Sequence, residues 1–101
     1  MVQRNFKKII NIFKTMSVVE LSSKAKLLKL GTYRHYKGNN YRVLGVVVHS
    51  ESLEELVLYK AIYGKRLLWV RPLSMFLEKV TVGGKIKPRF EFVKKTKNIF
   101  K

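Results

Sequence analysis

Six side chains in this 101-residue sequence have the chemistry to hold a ligand: Tyr36, Tyr41, His49, Lys60, Trp69 and Arg71. Aromatic rings offer stacking surfaces and arginine offers a planar, bidentate fork, a combination that suits nucleobases, phosphates and carboxylates. Arg71 precedes Pro72, so it stands at a strand end where the rim of a barrel would begin. It is expected either to meet a ligand or to form an ion pair with Glu51 or Glu54. Trp69 lies between Leu68 and Val70 and fits a core position as well as a stacking one, and Tyr59 and Tyr63 fit packing roles.

Catalytic arrangements are scarce. The chain contains neither Asp nor Cys, which removes the usual nucleophilic triads and all thiolate chemistry, and it has no phosphate-cradling glycine loop and no HExxH zinc motif. His35 and His49 could meet in space to bind a metal or shuttle a proton, but two histidines without a third ligand do not close a site. Glu51 and Glu54 could form an acid–base pair, although a loop rich in capping residues makes them equally good capping and surface charges. The expectation is a non-catalytic chain with no metal and no cofactor. A hydrolase using His35 or His49 with Glu51 is the enzyme reading that remains to be tested.

The elements that position these residues follow from turn chemistry. With 47% hydrophobic residues, the chain is one small domain. Gly38-Asn39 fits a two-residue hairpin loop pairing residues 32–37 with 40–49, which sets Tyr36 opposite Tyr41. The second of these strands is apolar on both faces, with Val43 and Val47 on one and Leu44, Val46 and Val48 on the other, as in a covered central strand. Gly64-Lys65 suggests another hairpin, with Lys60 opposite Trp69 and Leu58 opposite Arg71, so that Lys60, Trp69 and Arg71 share a face. Pro72 ends that ladder, and Leu73-Ser74-Met75-Phe76 makes one tight turn. Gly83-Gly84 then joins residues 77–82 to 86–93 and sets Glu78 against Arg89. The fold class is all-β: a small SH3-like barrel of about five strands, with an OB-like barrel as the alternative.

Five segments recur in a familiar order: Thr32 to Asn39, Tyr41 to Val48, His49-Ser50-Glu51, Leu68-Trp69-Val70-Arg71-Pro72 and Pro88-Arg89-Phe90. Together, over about Gly31 to Val93, they resemble domain-of-unknown-function family 1653. The resemblance implies the same SH3-like fold and carries no established activity. Lys65 and Gly83-Gly84 stand where acidic residues are common in that family, which makes this chain the more basic.

The net charge of +16 favours a polyanion through counterion release. Half of that excess sits near the ends, on Arg4, Lys7, Lys8 and Lys14 and on Lys94, Lys95, Lys97 and Lys101, where solvated tails explain it equally well. Residues 1–30 read as a basic extension, 31–93 as the domain and 94–101 as a basic tail. Within the extension, Phe6, Ile9, Ile10 and Phe13 recur at helical spacing, Met16 offers an alternative start, and Gly31 reads as the stop of a short helix after Ser22-Ser23. No run approaches the roughly 20 apolar residues of a membrane span, and a cysteine-free chain suits a cytoplasmic location. The expected function is binding of RNA or a ribonucleoprotein through the aromatic and arginine face. The alternative is a module for protein contact or for a small anionic metabolite.

Overall fold

The computed structural model describes residues 20–96. The amphipathic helix expected in the first 15 residues and the alternative start at Met16 lie outside that range. Seven strands form: β1 Gly31–His35, β2 Asn40–Val48, β3 Glu55–Ala61, β4 Leu68–Pro72, β5 Lys79–Val82, β6 Lys85–Pro88 and β7 Phe90–Lys95. Two short helices join them, α1 Ser23–Leu27 and α2 Leu73–Phe76. The all-β expectation holds, with seven strands where about five were expected.

The strands build one five-stranded sheet in the order β4-β3-β2-β1-β7 and a separate β5-β6 hairpin, all antiparallel. β2 is central, as its composition predicts. The hairpin ladder runs on through the Arg89 N–H, which donates to the Glu78 carbonyl at 2.9 Å, and it is tied to the main sheet where the Tyr36 N–H donates to the Arg89 carbonyl at 2.9 Å. The Gly83-Gly84 turn has two residues, both at positive φ, between the opposed Val82 and Lys85. Glu78 and Arg89 meet as expected, with a side-chain ion pair of 2.7 Å.

Two registers differ from the sequence expectation. In the first hairpin the Gly38 N–H donates to the His35 carbonyl at 2.7 Å and the His35 N–H to the Asn39 carbonyl at 2.8 Å. The loop is therefore the three residues Tyr36, Lys37 and Gly38, closed by glycine at φ 112°, a turn followed by a bulge. Tyr33, not Tyr36, opposes Tyr41. In the second hairpin the Ala61 N–H reaches the Leu67 carbonyl at 3.1 Å, so the loop is five residues long and Tyr59 opposes Trp69 while Val57 opposes Arg71. A one-residue slip reverses every face. Trp69 and Arg71 keep a common face, and Lys60 moves to the other side of the sheet.

β2 is open on its outer side. A bulge at Leu44 shifts the phase of the strand, because Val43 opposes Tyr59 whereas Gly45 opposes Leu58. Val43 and Val46 consequently both turn to the core, leaving Leu44 and Val47 exposed. This is why both faces look apolar in sequence.

The core is aromatic. Phe76 on α2 is 1% exposed and stacks on Phe90 with centroids 4.1 Å apart, while Tyr33 and Tyr59 approach it at 5.4 and 5.7 Å. Residues before β1 join this core: Ala25 is buried, with Leu21 and Leu28 packed beside it. Ser22 caps α1 by accepting from the Ala25 N–H at 3.2 Å, and donates to Glu55 on β3 from both its hydroxyl (2.7 Å) and its backbone N–H (2.6 Å). Gly31, expected as a helix stop, instead opens β1. A Cβ there would lie 2.2 Å from the Lys94 carbonyl oxygen, so only glycine lets β7 approach.

Candidate functional site

Antiparallel order brings the end of β1, the start of β2, the end of β3 and the starts of β4 and β7 to one end of the sheet. Arg71 reaches into this cluster from β4. Its Nε–H donates to the Tyr59 hydroxyl at 3.2 Å, and its guanidinium lies 5.6 Å from the centre of the Phe90 ring. Tyr41 stands edge-on to Tyr59 (5.4 Å), Tyr63 (5.5 Å) and Phe90 (5.8 Å), and the Tyr41 and Tyr63 hydroxyls are 2.6 Å apart. His35 completes the set, 4.8 Å from Phe90 and 4.6 Å from Tyr36. Trp69 and Tyr63 remain 48% and 43% exposed, so the cluster forms an open platform.

Of the six residues singled out from sequence, Tyr36 and Tyr41 stand at this end, and Trp69 lies on the same sheet face opposite Tyr59. Arg71, whose backbone opposes Val57 farther along β4, brings its guanidinium back to the cluster. His49 stands apart. It follows the far end of β2, a strand of nine residues that spans roughly 26 Å. There the Glu51 and Ser52 N–H groups both donate to His49 Nδ1 at 3.1 Å, which makes the ring a turn cap. His35 and His49 therefore cannot share a metal or a proton, and a hydrolase pairing His35 with Glu51 has no geometry. Lys60 lies on the opposite, outer face. Among the described residues the ion pairs of Glu78 and Glu20 go to Arg89 and Lys26, and Arg71 has no carboxylate partner. No three of His, Asp or Glu gather there as a metal cage. Sequence reasoning weighed His35 only as a metal or proton partner of His49 or Glu51, gave Tyr59 and Tyr63 packing roles, and passed over Phe90. The available signal was the period-two recurrence of rings at Tyr33 and His35, and at Phe90 and Phe92.

The comparisons agree with this architecture. Residues 31–92 match the model of a protein family of unknown function, DUF1653. The chain belongs to the DUF1653 family. A crystal structure of a DUF1653 protein from Bordetella bronchiseptica is 32% identical and superposes with a TM-score of 0.66, over 73% of this chain and 97% of that one. No curated protein matches the chain.

Electrostatics sharpen the site of this DUF1653 domain. Burial, then the hydrogen bond with Tyr63, pushes the Tyr41 hydroxyl up to about 12, so it stays protonated at neutral pH. One hydroxyl of the pair donates to the other, which leaves one O–H free to donate outward. Burial and then the cations Arg71, Lys37 and Arg89 hold His35 below its ordinary value, favouring the neutral ring. The Lys37 N–H donates to its Nδ1 at 3.2 Å. Beside the platform, Arg34, His35, Tyr36, Lys87, Pro88 and Glu91 line a cleft of about 270 Å³.

The outer face of the sheet carries a second pattern. Cross-strand pairing aligns Lys60, Arg42, Thr32 and Lys94 in one row over β3, β2, β1 and β7. Lys94 and Lys95, read from sequence as tail charges, belong to β7. Like charges directly opposite one another, as Arg42 and Lys60 are, weaken a sheet, and no described carboxylate forms an ion pair with this row. No described helix is long and apolar enough to cross a membrane.

Proposed function

We propose that this DUF1653 domain is a non-catalytic, cytoplasmic module that binds single-stranded RNA at the ring cluster around the Arg71 guanidinium. The observation that carries this reading is a guanidinium held in place by Tyr59 and Phe90, with no carboxylate partner among the described residues, beside a free phenolic donor and half-exposed rings. Among the described residues Arg71 spends only Nε, on Tyr59, which leaves its two terminal nitrogens for a phosphate. Trp69 and Tyr63 offer ring faces to bases, and the Tyr41–Tyr63 hydroxyl pair can meet a ribose 2′-hydroxyl. Openness favours a strand over a small anionic metabolite, because pockets for small molecules bury 70–90% or so of their ligand. The unpaired cations of the outer row add the attraction that a polyanion requires.

The test is fluorescence anisotropy of the full chain with labelled single-stranded RNA, single-stranded DNA and duplex over a range of salt, beside Arg71→Ala and Trp69→Ala. RNA binding that persists at physiological salt and falls in both folded variants supports the site. Binding that disappears with salt and ignores both substitutions would leave only diffuse attraction to lysines, and would refute it.

A further inference from the structure

β4 is an edge of the five-stranded sheet, and it leaves four consecutive apolar residues open: Leu67 (53% exposed), Leu68 (60%), Trp69 (48%) and Val70 (53%). Proteins usually blunt such edges with charges, prolines or bulges, because unpaired N–H and C=O groups recruit another strand. From Leu67 to Val70 there is no such device. The bond from the Ala61 N–H to the Leu67 carbonyl sets the alternation of the β3-β4 ladder. Backbone groups of Leu67, Trp69 and Arg71 point to β3, and those of Leu68 and Val70 point away. Pro72 falls at an outward position, where its missing N–H leaves the existing ladder intact.

We propose that β4 pairs with β4 of a second copy of this chain, antiparallel about a two-fold axis at Trp69, making one sheet continuous through both copies. In this register Leu68 of each copy faces Val70 of the other as hydrogen-bonded pairs, which supplies about four backbone hydrogen bonds. Trp69 faces Trp69 in a non-hydrogen-bonded pair, where Cα atoms approach to about 4.5 Å, and Arg71 faces the apolar Leu67. Charge and proline chemistry select this alignment over its neighbours. Centring on Leu68 would set Arg71 against Lys65, and centring on Val70 would set Leu68 against Pro72, which cannot donate. The edge is thus self-complementary in one register, which is the requirement for an isologous two-fold contact. Two Arg71 clusters then flank the axis on one sheet face. The inference stands independently of RNA binding.

Sedimentation of the full chain over low to high micromolar concentration tests it, together with emission from Trp69, the single tryptophan. The expected result is a mass rising to twice the 11.9 kDa of one chain, a blue shift of Trp69 emission over the same concentrations, and stronger association at higher salt, which screens the net charge of +16. Leu68→Lys blunts the edge, and Val70→Pro removes an outward N–H without touching the β3-β4 ladder; each is expected to sediment at the mass of one chain with native circular dichroism. If one variant fails to fold, the other decides. A wild-type chain that keeps the single-chain mass throughout, or a folded variant that still doubles its mass, would overturn the proposal.

Discussion

Arg71→Lys separates recognition from charge. The substitution keeps the positive charge but removes the Nε–H bond to Tyr59 and the flat guanidinium over Phe90. The first is worth roughly 1 kcal/mol to the fold and the second about 0.5–1 kcal/mol. Part of this is recovered because the lysine stem still covers apolar surface. For a domain of this size a net loss of about 1 kcal/mol lowers Tm by roughly 4–8 °C, which a thermal melt resolves easily. The effect on RNA is larger. Losing the fork to a phosphate removes charge-assisted hydrogen bonding worth about 1.5–3 kcal/mol, or on the order of ten- to a hundredfold in Kd. Because the number of neutralised phosphates is unchanged, the slope of log K against log salt should stay as in the wild type. Anisotropy titrations at several salt concentrations measure both quantities. A folded Arg71→Lys that binds with wild-type affinity would refute the reasoning, since the arginine would then act only as a point charge.

Four other substitutions probe the supporting structure. Gly31→Ala places a Cβ 2.2 Å from the Lys94 carbonyl at φ 143° and should destabilise the fold by more than about 1 kcal/mol, with the earliest loss of amide protection in β7 by hydrogen exchange. The Glu55 carboxyl is held below its usual range first by the Ser22 hydroxyl and then by the Ser22 N–H. Its contribution is therefore complete above the unfolded-chain value and is lost as pH falls through the folded value. Melts from neutral to acidic pH should show that loss, and Glu55→Gln should flatten it. Arg42→Ala and Lys60→Ala should each reduce the salt slope of RNA binding by about 0.7 if the outer row contacts the strand. Both should also leave the sheet slightly more stable, since each removes one of two opposed cations.

The legible features of the chain were those with one physical solution. Gly83-Gly84 admits a two-residue turn at positive φ, Pro72 must end a ladder, and Glu78 falls opposite Arg89 once that turn is placed. Loop length at Gly64 was not legible. There the five-residue loop depends on Arg66 at φ 54°, a conformation that residue type does not announce, and the resulting one-residue slip moved Lys60 to the outer face. The bulge at Leu44 had the same character, because an alternation that changes phase reads as a strand apolar on both sides. The Arg71 site was half visible: Tyr41, Trp69 and Arg71 stood out by type. Tyr59 was assigned to packing and Phe90 carried no assigned role; both pack, and the same two rings hold Arg71 in position.

The most direct measurement is the titration of His35 by NMR in the free and RNA-bound protein, with His49→Gln to assign its signal. Burial and the cations Arg71, Lys37 and Arg89 depress this imidazole in the free domain. A phosphate seated on those cations offsets their repulsion, so RNA should raise the His35 pKa and, by linkage, bind more tightly as pH falls through that range. RNA binding that leaves the His35 titration unchanged would contradict the account and place the contact away from the Arg71 guanidinium and its ring cluster.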